Sequence, residues 1–415
     1  MFNVLDNWVV TNHVIPASWP RGFARGVRDE ESGRLRLAVN EYVPRANMSP
    51  QPGDVTFLFA HGTGSTKESY EPFFDDVLTR FPRIRAIWAF DIAWHGASYL
   101  LNEHVIGDEP DWFDCVRDIL HIANHFQRDL HQPMVGMGQS WGCFNILLAA
   151  VHNPRIFAGI IALEPVLVTG YKTGPPHMHI AFLMMKRRDR WLSREYAKRA
   201  LRKSPYYAVF DDRVFDQIIR YDLRDVPLEP QTAQGASAAS SVAPEVTLTT
   251  PKAMEAYTMM RANPPLPGYP PGPDHNPNHS SHSTPVIPGF HRAADTEAHR
   301  HVPHVLPPVL YVWGSRSYIA KLPGYRQMLV EQTGIGPGGS GGAPAGHVTE
   351  TVIGDCGHCL PFEKPHETAK ALQPWLKQHV DVWGKHRRER KKEGPYWTDT
   401  INPGWIERAS KISKL

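Results

Sequence analysis

Short runs of apolar residues alternate with amphipathic stretches over the first 166 residues of the chain, and again from residue 305 onward. Runs that are apolar throughout predict strands buried on both faces. Five such runs occur, at Val55–Ala60, Ala86–Phe90, Met134–Met137, Phe157–Leu163 and Pro308–Trp313. The intervening stretches repeat apolar residues at helical spacing, as in residues 111–130. The pattern therefore predicts an α/β protein in which helices cover both faces of a mainly parallel sheet.

Further elements are predicted on either side of this pattern. Strands are expected near the amino terminus, at Leu35–Val39 and Tyr42–Val43, and a last strand at Val348–Ile353. A helix is predicted from Ser65, because the residues Ser-Thr-Lys-Glu that begin there form a capping box. A closing helix is expected over Lys364–Val380.

The alternating pattern stops after residue 166 and resumes only at residue 305. The segment between contains basic helical stretches, a run rich in Ala and Ser, a short helix predicted from Thr250 to Arg261, and a run rich in Pro, His and Asn. We expect an insertion over the active-site edge of the sheet, partly disordered. The predicted organisation is core residues 1–166, a cap at 167–304, core residues 305–384 and a basic tail at 385–415.

The composition of the chain excludes several classes of protein. The chain has 415 residues, of which 41% are hydrophobic and 21% charged, as in soluble globular proteins. Lys and Arg total 45 against 42 Asp and Glu, a balance that argues against a nucleic-acid partner. No apolar run approaches the ~18 residues of a membrane span. Four cysteines are too few for a disulfide framework, and the pair in Cys356-x-x-Cys359 lacks the second pair of a zinc site, so no metal or cofactor is expected.

The last three residues, Ser413, Lys414 and Leu415, form a peroxisomal targeting signal. The tail before them is basic and polar, so the tripeptide is expected to be accessible to the peroxisomal import receptor. The predicted location is the peroxisome.

The strand predicted at Met134–Met137 leads into Gly138-x-Ser140-x-Gly142 and then directly into an apolar helical stretch. This strand–turn–helix context is the one that a nucleophile elbow requires. The two glycines allow the chain to turn sharply without a Cβ clash, which leaves the Ser140 hydroxyl exposed at the end of a strand. Ser140 is therefore the predicted nucleophile.

A serine hydroxyl needs a base, and the base needs a third group to orient it. His358 follows the last predicted strand and precedes the last helix, the position expected for the base. The loop after the strand ending at Trp313 is the usual place for the acid, but it contains no carboxylate. The neighbouring strand ends at Glu164, which we take as the acid, with Asp355 as a weaker candidate.

Attack of a serine on a carbonyl carbon develops a negative charge on the carbonyl oxygen. Backbone N–H donors beside the nucleophile stabilise this oxyanion. The N–H of Trp141 lies at the start of the helix that follows Ser140, and the loop His61-Gly-Thr-Gly64 follows the first central strand. The N–H of Thr63 is the predicted second donor.

Four motifs give the core a resemblance to the α/β-hydrolase superfamily: His61-Gly62, Asp91-x-x-x-His95-Gly96-x-Ser98, the serine elbow, and Gly357-His358. The resemblance implies the α/β-hydrolase fold, with a mostly parallel eight-stranded sheet covered by helices and a large inserted cap.

Within this superfamily, the chain resembles the fungal peroxisomal α/β-hydrolases of secondary metabolism. That group includes the mycophenolic acid acyl-CoA hydrolase and the abhydrolases of toxin biosynthesis. The similar features are an acid after the sixth strand, the stretch Leu248–Tyr257 in the cap and the terminal tripeptide. Position 164 departs from the pattern of this group, because it is a glutamate where an aspartate is the familiar acid after the sixth strand.

This resemblance implies a triad of Ser140, His358 and Glu164, and a bulky acyl-CoA thioester that is cleaved to free acid and CoA through an acyl-enzyme. The basic segment Lys186-Arg187-Arg188, with Arg190, would either meet the CoA phosphates or form a solvated helix face. Two alternatives remain open, a carboxylic ester hydrolase or lipase, and a binding or cyclising protein without acyl-enzyme chemistry. Oligomeric state is also open, with a homodimer as one option.

Overall fold

The computed structural model of the protein describes residues 3–167, 176–226, 244–262, 290–291, 294–392 and 400–412. The targeting tripeptide, the run rich in Ala and Ser, and most of the run rich in Pro, His and Asn lie outside the described residues, as does the predicted disorder in these runs.

Thirteen strands are formed by the described residues. They are β1 Trp8–Pro16, β2 Arg36–Pro44, β3 Val55–Ala60, β4 Ile84–Phe90, β5 Met134–Gln139, β6 Gly159–Leu163, β7 Arg190–Trp191, β8 Leu223–Asp225, β9 Val246–Leu248, β10 Arg261–Ala262, β11 Phe290–His291, β12 Val309–Gly314 and β13 Val348–Ile353. Eight of them form one sheet in the order β1-β2-β4-β3-β5-β6-β12-β13. The β1–β2 and β2–β4 pairs are antiparallel and the other five are parallel. The predicted mostly parallel eight-stranded sheet is confirmed.

The described residues also form fourteen α-helices. They are α1 Glu71–Arg80, α2 Gly96–Asn102, α3 Trp112–His125, α4 Trp141–His152, α5 Pro176–Lys186, α6 Arg194–Arg202, α7 Pro205–Ala208, α8 Asp212–Gln217, α9 Lys252–Met259, α10 Ala294–His301, α11 Tyr325–Gln332, α12 Leu360–Glu363, α13 Pro365–Lys392 and α14 Pro403–Ile412. The closing helix, α13, continues to Lys392, beyond the predicted core boundary at residue 384. Over the described part of the chain, no helix has the length and apolar character needed to span a membrane.

The central strands are buried on both faces because successive side chains point to opposite sides of the sheet. In β3, Phe57 and Phe59 join the apolar cluster that includes α1 and α13, whereas Leu58 and Ala60 join the cluster that includes α3 and α4. All six residues of β3 are buried. Two apolar cores therefore hold the carboxyl ends of the parallel strands in fixed positions.

The helix predicted from Ser65 begins later than expected. Residues Lys67–Tyr70 form a 3₁₀ turn, and α1 starts only at Glu71. The backbone N–H and the ammonium group of Lys67 each donate to the buried Asp91 carboxylate at 2.8 Å. These bonds tie the turn to the loop after β4, so that the capping-box pattern does not start a helix at Ser65.

The segment between β6 and β12 lies outside the main sheet. Strands β7, β9 and β8 form a small antiparallel sheet that shares an apolar cluster with α6 and α8. The short helix expected from Thr250 to Arg261 is α9, Lys252–Met259. Two core tryptophans bind this helix, since Trp94 Nε1 donates to Thr258 Oγ1 at 2.8 Å and Trp112 Nε1 to the Thr258 carbonyl at 2.7 Å.

Candidate active site

A strained turn joins β5 to α4 and carries Ser140. The backbone of Ser140 has φ 55° and ψ −119°, and α4 begins at the next residue. A Cβ at Gly138 would lie 2.6 Å from the Cys143 nitrogen, and a Cβ at Gly142 would lie 2.1 Å from the Ala60 carbonyl oxygen. Both positions therefore require glycine, as the sequence indicated.

The side chains of Ser140, His358 and Glu164 form one hydrogen-bonded chain. His358 Nε2 lies 2.9 Å from Ser140 Oγ, and His358 Nδ1 lies 3.1 Å from Glu164 Oε2. The Glu164 side chain is fully buried and that of His358 is 15% exposed. The carboxyl ends of β5, β6 and β13 thus bring together three residues that are up to 218 positions apart in the sequence.

The end of β12 and the loop after it hold the Glu164 carboxylate in place. The N–H of Gly314 donates to Glu164 Oε1 at 2.6 Å, and the Ser317 hydroxyl donates to Oε2. Sequence reasoning examined this loop for an acid and found none, but it missed that the loop positions the acid of the neighbouring strand. The sequence offered one signal, a serine at position 317 in the loop where a carboxylate was sought, and the structure shows that this serine is buried.

Asp355, the weaker candidate acid, lies at the surface. Its side chain is 76% exposed and forms an ion pair with Arg316 Nε at 3.1 Å. Among the described residues, Asp355 makes no contact with His358, although the two are only three positions apart in the sequence.

The backbone around His358 is held by two side chains. Glu363 accepts hydrogen bonds from the N–H groups on both sides of the histidine, at 2.7 Å from Gly357 and 3.2 Å from Cys359. Gln139 Nε2 donates to the His358 carbonyl at 3.2 Å, and Gln139 in turn accepts from the Tyr70 hydroxyl at 3.0 Å. The sequence alone assigned no role in the site to Glu363, Gln139 or Tyr70, because their contacts are made between distant elements.

The predicted oxyanion donors lie on the same cavity as Ser140. Thr63 follows β3, the strand next to β5, and Trp141 opens α4, where N–H groups have no intrahelical acceptor. The loop of Thr63 is fixed by a hydrogen bond from the Gly62 N–H to the Tyr70 hydroxyl at 3.0 Å.

A cavity of about 800 Å³ opens above Ser140 and His358. Its wall combines residues of the main sheet's loops with residues of the inserted segment, including Lys186, Arg187 and Tyr206. Of the basic segment, Lys186 and Arg187 lie on this cavity, whereas Arg188 and Arg190 are exposed and away from it.

Two carboxylates of the inserted segment line this cavity, that of Glu255, which is buried, and that of Asp222, which is half-buried. Asp222 Oδ1 accepts hydrogen bonds from the hydroxyls of Thr66, at 2.7 Å, and Ser69, at 2.9 Å, but burial raises the pKa of its carboxyl to about 7. Glu255 forms an ion pair with Arg187, and burial raises the pKa of the Glu255 carboxyl despite that partner.

Comparison with known sequences identifies relatives over most of the chain. A family model described as the alpha/beta hydrolase family matches residues 57–371. The type I acyl-CoA thioesterase mpaH' of Penicillium brevicompactum is 31% identical over 406 residues, covering 94% of this chain and 92% of that protein. An abhydrolase domain-containing protein of Alternaria alternata, ACTT2-2, is 26% identical and covers 67% of this chain and 98% of its own length.

Solved structures show the same fold at low sequence identity. The peroxisomal alpha-beta-hydrolase Lpx1 of Saccharomyces cerevisiae matches with a TM-score of 0.63 at 18% identity, covering 99% of this chain and 96% of the other. The structure of E-2-(acetamidomethylene)succinate hydrolase matches with a TM-score of 0.53 at 14% identity, over 88% of this chain and 100% of the other. The predicted fold class is thereby confirmed.

Proposed function

The chain belongs to the alpha/beta hydrolase family, and from that premise we propose that it is a serine hydrolase that cleaves a bulky acyl-CoA thioester to free acid and CoA. The observation that carries the proposal is the hydrogen-bonded chain from Ser140 through His358 to Glu164. In this order the groups act as nucleophile, general base and orienting carboxylate.

In the first step Ser140 Oγ attacks the thioester carbonyl while His358 Nε2 takes its proton. Glu164 accepts the hydrogen bond from Nδ1 and stabilises the imidazolium that forms. The backbone N–H groups of Thr63 and Trp141 bind the oxyanion, and each such donor typically contributes about 3–4 kcal/mol to transition-state stabilisation.

Collapse of the tetrahedral intermediate breaks the carbon–sulfur bond and leaves the acyl group on Ser140. The CoA sulfur leaves as a thiol, taking from His358 Nε2 the proton that came from Ser140, so that His358 is neutral again. The pKa of this thiol resembles the reference value of about 8.5 for cysteine, which makes it a good leaving group. His358 then activates a water molecule that cleaves the acyl-enzyme, and the free acid departs. No cofactor takes part in these steps.

The choice of a CoA thioester is supported by the relatives and by the cavity. Three relatives that align with more than nine-tenths of this chain carry the name acyl-CoA thioesterase. A cavity of about 800 Å³ accommodates a bulky acyl chain, and Lys186 at its wall supplies a cation for a CoA phosphate. We propose residues 167–304 as the cap that shapes this cavity.

The peroxisome is the proposed location, reached through the import receptor that reads Ser413-Lys414-Leu415. Peroxisomes shorten acyl chains as CoA thioesters, so a thioesterase there would release the finished acid. A role in fungal secondary metabolism, including toxin biosynthesis, is part of the same proposal and rests on the resemblance described above.

The test compares hydrolysis of decanoyl-CoA, followed by free-thiol release, with hydrolysis of methyl decanoate by the same preparation. Active sites are counted by fluorophosphonate labelling, with Ser140→Ala as the unlabelled control. We expect a kcat/KM at least about 10-fold higher for the thioester. A higher value for the oxygen ester would identify a carboxylic ester hydrolase, and no adduct on Ser140 would refute serine catalysis.

A further inference from the structure

The basic tail, residues 385–415, carries all of the protein's excess positive charge. It contains nine Lys and Arg and four Asp and Glu, whereas the whole chain contains 45 and 42. The rest of the chain therefore has two more acidic than basic side chains. The catalytic steps proposed above use no residue of this tail.

Six of the nine cations lie at the end of α13, outside the core. The last buried side chain of this helix is Val380, and the helix continues for twelve more residues to Lys392, a length of about 18 Å. The six cations are exposed, and a single acidic residue, Glu389, lies among them; they are Lys385, Arg387, Arg388, Arg390, Lys391 and Lys392. Among the described residues, none of the six forms an ion pair. Their positive charge is therefore available to an outside partner.

Helix α14 presents an apolar face to solvent. Trp405, Ala409 and Ile412 recur at helical spacing and form one stripe, which Ile406 widens. Trp405, Ile406 and Ile412 are 65%, 49% and 67% exposed, and no residue of α14 is buried. None of them belongs to an apolar cluster formed by the described residues. The fold therefore does not use this face.

The polar residues of α14 make the helix amphipathic. Arg408 and Lys411 lie along one edge of the apolar face, and Lys411 forms an ion pair with Glu407 at 2.7 Å. Such a helix lies in a membrane interface, where its apolar side chains reach the acyl chains and its cations stay among the headgroups. The ten residues of α14 extend about 15 Å, half of the ~30 Å hydrocarbon core, so the helix fits the surface of a bilayer rather than its full thickness.

Charge determines which partner suits this apolar face. Two copies joined through α14 would bring two clusters of cations together, and like charges repel. A surface of anionic phospholipids attracts the end of α13 while it receives the apolar face of α14. We propose that the end of α13 and helix α14 form a docking surface for an anionic phospholipid membrane. The proposal does not depend on the proposed thioesterase function.

Co-sedimentation of the full-length protein with lipid vesicles tests the docking surface. Vesicles of phosphatidylcholine alone are compared with vesicles that also contain about 30% phosphatidylserine. At about 0.1 M salt we expect the protein to bind the anionic vesicles at least about 10-fold more tightly than the neutral ones. This preference should be lost at about 1 M salt, where the attraction between the two surfaces is screened.

The contribution of the apolar face is measured with paired substitutions. Trp405→Ser combined with Ile412→Ser should weaken binding to the anionic vesicles at least about 10-fold, because less apolar area enters the membrane. Leu5→Ser combined with Leu192→Ser is the matched control, since these leucines are also exposed but lie outside the tail. The control should bind within about 2-fold of wild type.

The contribution of the cations is measured on a single helix. Arg387→Gln combined with Arg388→Gln should weaken binding to the anionic vesicles at least about 10-fold. Lys370→Gln combined with Lys377→Gln removes the same charge from exposed positions earlier in α13 and should leave binding within about 2-fold of wild type. Thermal unfolding of these variants should match wild type, because all four side chains are exposed.

The proposal is overturned if the protein binds neither kind of vesicle, if it binds both equally, or if the tail variants bind like their controls. It is also overturned if light scattering shows a dimer that the substitutions at Trp405 and Ile412 dissociate, because α14 would then pair with a second copy. Weaker binding of the same variant to the import receptor, with unchanged binding to vesicles, would assign the apolar face to that receptor instead.

Discussion

At the scale of single residues, two of the three proposed catalytic side chains stand on backbone of unusual conformation. Ser140 has φ 55° and Glu164 has φ 52°, values that non-glycine residues rarely adopt. Neighbouring strands hold both residues, since the Ser140 N–H donates to the Leu163 carbonyl and the Glu164 N–H to the Val312 carbonyl, each at 2.8 Å. Such strain persists only where the surroundings enforce it, and it aims both side chains at His358.

The choice of Glu164 as the acid is tested by removing its charge without changing its shape. Glu164→Gln should lower kcat for a CoA thioester by about 10³–10⁴-fold, because the amide neither stabilises the imidazolium nor enforces the correct tautomer of His358. Asp355→Asn is the matched control and should change kcat by less than about 2-fold, since that side chain is exposed. Steady-state thiol release measures both, and a large loss in Asp355→Asn alone would reassign the acid.

At the scale of elements, the turn between β5 and α4 depends on close backbone packing. Gly142→Ala would place a carbon 2.1 Å from the Ala60 carbonyl oxygen in β3. We expect a loss of stability of at least about 3 kcal/mol, because backbone on both sides leaves no room to relax. The solvent-exposed Gly354 has nothing within 4 Å of an added Cβ, so Gly354→Ala is the control that should remain near wild type in urea unfolding. Equal stability of the two variants would contradict the packing at the elbow.

The contact between the inserted segment and the loop after β3 predicts a pH dependence. Asp222 has a pKa of about 7 in the folded protein against an ordinary value of 3.8, so its protonated form stabilises the fold. The contribution of Asp222 to the free energy of unfolding is therefore highest below about pH 4. It falls by up to about 4 kcal/mol as the pH rises to about 7. Asp222→Asn mimics the protonated side chain and should not show this loss.

Urea unfolding from pH 4.5 to 8.5 measures the effect. The free energy of unfolding of Asp222→Asn, relative to wild type, should rise with pH and level off above about pH 8. Asp225→Asn, an exposed position in the same segment, is the control and should give a constant difference. A constant difference for both variants would contradict the elevated pKa of Asp222.

The elements that the sequence predicted well are those with local signals. Apolar runs identified β3, β4, β5, β6 and β12, and glycines identified the elbow. The predicted start of α1 was wrong because the contact that holds Lys67 in a 3₁₀ turn is made by Asp91, more than twenty residues away in the sequence. The roles of Gln139 and Ser317 were likewise hidden, since each depends on a partner brought close only by the fold.

At the scale of the whole molecule, the order of strands in the sheet brings the site together. Loops after β3, β5, β6 and β13 meet at one edge, and chain order alone was sufficient to assign a serine, an acid and a histidine to that edge. The pairing of Arg187 with Glu255 could not be foreseen, because it depends on how α5 and α9 pack within an insertion that lacks a repeating pattern.

The tail of the molecule predicts where the enzyme acts. Deleting Ser413, Lys414 and Leu415 should move an amino-terminally labelled protein from peroxisomes to the cytosol in fungal cells, because we propose that the import receptor reads this tripeptide. Turnover of the purified protein should not change. Lys411→Ala, which removes a charge just before the signal, is the control and should leave import unchanged; import of the truncated protein would contradict the assignment.

The central claim is that Ser140 carries the acyl group during turnover. Rapid quenching of the enzyme with decanoyl-CoA, followed by mass spectrometry of its peptides, tests this most directly. The account predicts a decanoyl adduct on Ser140 that forms within one turnover, disappears as free acid appears, and is absent in Ser140→Ala. Thiol release without any adduct, or with the adduct on another residue, would contradict it.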